Sequence, residues 1–274
     1  METKTRKHII ADKVPVIVAI ILMILGIALP SVIAAPVASI FGGTDTYAGK
    51  LCNAIVAIAV SFLLMKLYVL WFRPEFQGNL GKAGFAKGMK HLIPFFAAWL
   101  IYFILSAIFE GSQFDLLNPL VWVSGFAAGV TEEVAFRGLA TTTLLRKFRS
   151  EKHVVLPGVL VGILFGSVHF ANITAGEDPL IVLLTVIFAI GGGIVFGSIY
   201  TLCGNLWPVI IAHSVYDSVS FSILEDASAP VEFGLFTYLQ IGIMFAVGIL
   251  ATVIVWKKRK ETSELWHRKW KTIA

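Results

Sequence analysis

Long apolar runs separated by short polar segments make up most of this 274-residue chain. Eight runs cover 14–35, 52–72, 91–109, 118–145, 154–172, 179–203, 207–224 and 233–256. Each lies close to or above the roughly 20 residues that a helix needs to cross a bilayer. A segment in lipid must satisfy its own backbone, and the alternation of a membrane barrel is absent, so all eight are predicted to be helices. The pattern predicts an all-α polytopic membrane protein. It is a bundle of about eight transmembrane helices forming a single membrane-embedded domain over 1–274. The fourth run is the longest, and only its first two thirds is cleanly apolar.

Composition supports this reading. The chain is 57% hydrophobic and 14% charged, against roughly 25% charged in soluble domains. That excludes a soluble globular enzyme, a disordered segment and a disulfide scaffold. Cys52 and Cys203 fall at opposite ends of their spans, so no disulfide is expected.

The charges sort by loop. Lys4, Arg6, Lys7 and Lys13 precede the first run. Arg73, Lys82, Lys87 and Lys90 follow the second, and Arg146, Lys147, Arg149 and Lys152 follow the fourth. Lys257, Lys258, Arg259, Lys260, Arg268, Lys269 and Lys271 fill the tail. The alternate loops hold one base, Lys50, with the acids Asp45, Glu110, Asp115, Glu177, Asp178, Glu225, Asp226 and Glu232. The positive-inside rule then predicts both termini in the cytoplasm. The protein is expected to be integral and multi-pass, in the plasma membrane if the host is bacterial. The basic N-terminus resembles a signal peptide, but the first run is longer than a typical signal core, and its removal would break the alternation. It is expected to stay as a helix.

The net charge of +5 is therefore topology. The tail bases are expected to meet anionic lipid, and no nucleic-acid partner is expected. Trp266 and Trp270, beside Arg268 and Lys269, predict a short tail lying on the membrane surface. Trp71, Trp122, Trp207 and Trp256 sit near span ends, where interfacial anchors belong.

Ionisable side chains within the spans are few: Lys66, Glu132, Glu133, Arg137, His169, His213 and Asp217. Such groups are costly in lipid and mark functional sites. Lys66 is near a span end and can snorkel. Glu133 and Arg137 are spaced i, i+4 and can pair on one face. Glu132 points about 100° away and needs another partner. Gly162, Gly166 and His169 share one face of the fifth span, with Phe165 one turn before the histidine. His213 and Asp217 share a face of the seventh. Structural pairing explains Glu133 with Arg137. It does not explain Glu132, His169 and His213 together.

A buried glutamate beside a histidine can draw a proton from water, and an imidazole N–H can stabilise an oxyanion. Two histidines and a glutamate can also ligate zinc with an open position. No His-Glu-x2-His pair lies on one helix, and spacing leaves both chemistries open.

Glu132-Glu133-x3-Arg137, Phe165-x3-His169 and His213-x3-Asp217, in that order, resemble the motifs of the CPBP intramembrane proteases. That family includes the type II CAAX prenyl endopeptidases and bacterial proteins linked to bacteriocin self-immunity. The resemblance covers about residues 120–220 and sets a catalytic-motif core at about 118–224. It implies an intramembrane endopeptidase. Glu132 resembles the catalytic glutamate and His169 its partner in water activation. His213 resembles the residue near the oxyanion, while Glu133 and Arg137 resemble the supporting pair. Asp217 matches a position that is often asparagine in the prenyl endopeptidases. An ionised aspartate cannot donate to an oxyanion, which leaves it the role of orienting His213.

The family has been described both as zinc proteases and as metal-free glutamate proteases. The metal-free form is favoured here, with no cofactor. The zinc alternative would use Glu132, His169 and His213. The expected partner is a membrane-bound or amphipathic peptide or protein substrate within the lipid bilayer. Two other readings fit the same charges. One is a proton-coupled transporter, with Gly191-Gly192-Gly193 as a candidate helix break. The other is a non-catalytic immunity or regulatory membrane protein.

Overall fold

Helices occupy all eight apolar runs. The computed structural model describes residues 12–109, 111–224 and 235–270. Lys4, Arg6, Lys7, Glu110, Glu225, Asp226, Glu232 and Lys271 lie outside the described residues. Helix α1 is Pro15–Ile40 and α2 is Tyr47–Leu67, which continues as a π-helical turn, Tyr68–Phe72. Helix α3 is Phe85–Phe109. Helix α4 (Pro119–Glu133) runs without a break through a π-helical stretch, Val134–Thr141, into α5 (Thr142–Lys147). Helix α6 (Leu156–Ser167) passes into a 3-10 segment, Val168–Ala175. Helices α7 (Pro179–Cys203), α8 (Trp207–Phe221), α9 (Leu235–Lys257) and α10 (Arg259–Lys269) complete the chain.

The starts follow ordinary capping chemistry. Thr46 Oγ1 accepts the Gly49 N–H, Asn118 Oδ1 that of Leu120, and Asp178 Oδ1 those of Leu180 and Ile181. Prolines sit in the first turns of α1, α4, α6, α7 and α8, where a missing N–H costs nothing.

Among the described residues, six helices are long and apolar enough to cross a membrane: α1, α2 with its π turn, α3, α6 with its 3-10 extension, α7 and α9. The runs 118–145 and 207–224 fall outside that set. Each contains a 15-residue α-helix, and they carry Glu132, Glu133, Arg137, His213 and Asp217. In 118–145 the charged groups of the candidate site interrupt the apolar stretch, and in 207–224 the helix is only 15 residues long.

Glycine sets how closely the central helices approach. A Cβ on Gly162 would sit 2.6 Å from the Ile194 nitrogen, and one on Gly193 would sit 2.5 Å from the Gly162 carbonyl oxygen. Helices α6 and α7 therefore meet backbone to backbone. The same holds for α4 and α8, where Gly125 faces Ser218 and Gly129 faces Ser214. The triple glycine does not break α7, which is continuous. Gly191 faces Met244 of α9 and Gly193 faces α6, so this stretch serves packing.

The loops group as their charges suggest. At one end, Asn79 donates to the Tyr200 hydroxyl (2.7 Å), Trp207 Nε1 to the Leu80 carbonyl (3.1 Å), and Arg146 pairs with Glu75 and with Asp12 (2.8 Å to the latter). At the other end, β1 (Gln113–Phe114) pairs antiparallel with β2 (Ile223–Leu224). Cys52 and Cys203 are both free thiols, and Lys66 is exposed.

The tail departs from expectation. Trp266 and Trp270 are buried inside protein, not spread on a membrane surface. Trp266 Nε1 donates to the Thr201 carbonyl (2.7 Å). Phe76 lies 4.8 Å from the Trp270 ring and stacks parallel to Trp266 at 6.4 Å. Lys87 pairs with Glu261 at 2.7 Å. The loop after α2 offers an aromatic seat, so burial in protein wins over interfacial placement.

Candidate active site

Glu133 ends α4, and its side chain is fully buried. Its Oε1 accepts from Arg137 Nη1 at 2.6 Å, as the i, i+4 spacing anticipates. The same oxygen lies 2.8 Å from His213 Nδ1 on α8. A carboxylate only accepts, so Nδ1 carries the proton and donates. This fixes the tautomer and leaves Nε2 to face the remaining acids. Glu132 Oε2 is 3.6 Å from Nε2, and Asp217 Oδ2 is 3.5 Å away. Both are too long for good direct hydrogen bonds.

Asp217 is therefore not the residue that orients His213. Its reach is to Nε2, because it sits one turn further along the same helix. The orienting bond comes from Glu133, which the sequence pattern assigned to Arg137 alone.

Arg137 is fully buried and does more than neutralise Glu133. Its Nη2 donates to the Gly193 carbonyl on α7 at 2.9 Å. Its guanidinium lies 4.9 Å from the centre of the Phe165 ring and 5.5 Å from that of Phe196, within cation–π range. The same rings hold His213, at 5.6 Å and 5.1 Å between centroids. One aromatic clamp from α6 and α7 thus grips both residues. Phe196 and the Gly193 carbonyl were not singled out in the sequence. The only signal was their place in the glycine-rich stretch of α7.

The π-helical stretch begins directly after Glu133. Thr141 and Thr142 hydroxyls donate to the carbonyls of Phe136 and Arg137, five residues back, at 2.9 Å each. These bonds serve carbonyls in the widened turn. Such turns recur at functional sites, and the Thr141-Thr142-Thr143 run is its sequence trace.

His169 is the second residue of the 3-10 segment that extends α6. Its Nδ1 meets its own helix at the Phe165 carbonyl (3.2 Å), and its ring packs on Phe165. It shares with Glu132, His213 and Asp217 a cavity of about 330 Å3, walled by Phe95, Phe196 and Tyr216 among others. Phe165, His169, Glu132, His213 and Asp217 are thus brought to one chamber, with Glu133 and Arg137 behind it. The zinc alternative requires Glu132, His169 and His213 to converge on one centre. Among the described residues, no three His, Cys, Asp or Glu groups are so placed.

A second cleft, of about 710 Å3, runs between α1, α2 and α4. Glu132, Ala128 and Phe221 line both spaces. Glu132 is the acid at their junction, and its side chain is 33% exposed.

The fold and site define an all-α polytopic membrane protein with a buried acid–histidine cluster opening on two cavities. Residues 114–219 match the family model of the Rce1-like type II CAAX prenyl endopeptidases. This stretch, from β1 to the last turn of α8, is similar to the type II CAAX prenyl endopeptidases, in line with the motifs, and the match supports a CAAX-type intramembrane protease in general. No curated protein and no solved structure matches the chain.

Proposed function

We propose that the protein hydrolyses a peptide bond of a membrane-associated substrate by glutamate-activated water, without a metal. The observation that carries this is the placement of Glu132. It is the one acid of the cluster that lines both cavities, and among the described residues it has no guanidinium partner. A water beside Glu132, with His169 on the chamber wall, gives its proton to the carboxylate and attacks the carbonyl carbon. His213, held through Nδ1 by Glu133, stabilises the oxyanion from Nε2–H as the imidazolium. When the C–N bond breaks, the proton on Glu132 passes to the leaving amine. Asp217 sits beside Nε2, where it favours that imidazolium. Burial by Phe165 and Phe196 keeps these dipoles in a setting where they act strongly.

Glu132→Gln preserves shape and removes the base. Peptide cleavage by the purified variant is expected to fall about 10²-fold or more. Unchanged turnover would remove the mechanism. One tightly bound zinc per active chain would replace it with the metal form. Glu132-dependent transport in vesicles, with no proteolysis, would move the reading to a transporter.

A further inference from the structure

Helix α7 holds Arg137 at both of its ends. The guanidinium reaches the Gly193 carbonyl at 2.9 Å. Two turns further along α7, about 10 Å away at 1.5 Å per residue, stands Tyr200. Its hydroxyl lies 2.6 Å from Thr142 Oγ1, and Thr142 donates to the backbone carbonyl of Arg137 at 2.9 Å. A hydroxyl has a single hydrogen to give. Thr142 spends its own on Arg137, so Tyr200 donates to Thr142 and accepts from Asn79 Nδ2 at 2.7 Å. The chain of bonds therefore has one direction, from Asn79 through Tyr200 and Thr142 to Arg137. All three of the side chains that carry it are buried. The Tyr200 ring is seated edge to face on Trp266 of the tail, at 5.5 Å.

Arg137 lies inside the π-helical stretch Val134–Thr141. Such a stretch holds an extra residue relative to the α-helical path it interrupts. Closing it would turn α4 against α5 by about 100°, and the joint presentation of Glu133 and Arg137 to α7 and α8 would be lost. The reach from the Thr142 hydroxyl back five residues to Arg137 suits the wide turn, since threonines in an ordinary α-helix bond three or four residues back. Tyr68 supplies the contrast. Its hydroxyl lies 2.9 Å from Thr143 Oγ1, which donates to the Leu139 carbonyl four residues back. Tyr68 thus pins the helix without selecting its wide form.

We propose that Tyr200 is a positioning residue of the active site: through Thr142 it holds the wide turn that presents Glu133 to His213 and sets Glu132 beside Nε2. Its effect on turnover rests on the proteolytic reading of Glu132; its effect on the Glu133–His213 bond does not.

The test uses the full chain in phosphatidylcholine nanodiscs, with isotope-labelled histidine and a membrane-anchored peptide. The His213 Nδ1–H resonance, assigned by its loss in His213→Gln, reports the bond to Glu133 without turnover. Tyr200→Phe keeps the ring and removes the hydroxyl. In that variant kcat is expected to fall about tenfold or more with KM nearly unchanged, as a displaced catalytic group gives. The resonance should move towards that of an unbonded imidazole. Thr142→Val should match it, and Thr142→Ser should keep wild-type values. Tyr68→Phe loses a bond of the same kind and should change neither readout. Wild-type kcat and resonance in Tyr200→Phe overturn the proposal. So do equal effects in Tyr200→Phe and Tyr68→Phe, or a lower folded yield with kcat per folded chain unchanged, since each makes Tyr200 a packing residue only. If the wild type cleaves no peptide, the proteolytic reading falls and the resonance alone decides the role of Tyr200.

Discussion

His213 Nδ1 and Arg137 Nη1 share one oxygen of Glu133, at 2.8 Å and 2.6 Å. One buried carboxylate thus joins the helix carrying the candidate base to the helix carrying the candidate oxyanion residue. Removing one partner of a buried pair leaves the other uncompensated, at a cost of about 3–5 kcal/mol. Glu133→Gln and Arg137→Met are each expected to lower the unfolding free energy in detergent by that order, seen as a lower unfolding temperature. The double variant is expected to recover part of the loss, since no lone charge remains. Hydrolysis should stay low, because His213 still lacks its carboxylate. Fully additive losses in thermal unfolding would show that the pair is not coupled.

The α6–α7 contact makes a sharper test of packing. Gly193→Ala places a methyl 2.5 Å from the Gly162 carbonyl oxygen, where only backbone can yield. The helices must separate, at about 1–3 kcal/mol or more for overpacking, and the Arg137 bond to the Gly193 carbonyl is disturbed. Gly192→Ala meets only Met244 Sδ, at 3.8 Å, and should be near neutral. Equal folded yields for the two variants would contradict the backbone contact.

Trp266→Ala removes a buried ring and the bond to the Thr201 carbonyl, at about 3–5 kcal/mol. The tail helix should then leave its seat. Trypsin cleavage at Arg259, Lys260, Arg268 and Lys269 is the readout, expected to be slow in wild type and fast in the variant. Equal protection would return the tail to the membrane surface.

The Lys87–Glu261 pair gives the tail a pH dependence. Lys87 holds the Glu261 carboxyl below its usual range, through its hydrogen bond and charge. A depressed carboxylate stabilises docking above its unfolded value and loses that contribution as pH falls through the folded one. Protection of the tail should therefore weaken on acidification below the ordinary carboxylate range. Glu261 is largely exposed, so the effect should be small and salt-sensitive. Glu261→Gln should remove it. A pH response unchanged in that variant would assign it to another group.

Most of the membrane plan was legible because apolar length is a strong signal. The motif spacing also brought Glu132, His169, His213 and Asp217 to one chamber. The sequence could not show which acid holds His213. Glu133 and Asp217 stand at equally plausible positions, and only the crossing of α4 and α8 chooses between them. The tail was misread for a related reason. A tryptophan beside lysine looks the same whether it anchors to lipid or fills an aromatic seat, and the seat at Phe76 lies almost 200 positions away along the chain. The π-helical stretch depends on local hydrogen bonds that hydropathy does not register.

The short ladder of Gln113–Phe114 with Ile223–Leu224 has a mechanical consequence. It splints the approach to α4 to the exit from α8, and lower down the same helices touch through Gly125 and Gly129. Pinned at several levels, the pair resists being pried apart. Glu132 and His213, the proposed base and oxyanion residue, ride on this splinted pair, so their spacing is fixed by the fold and not by the flanking helices.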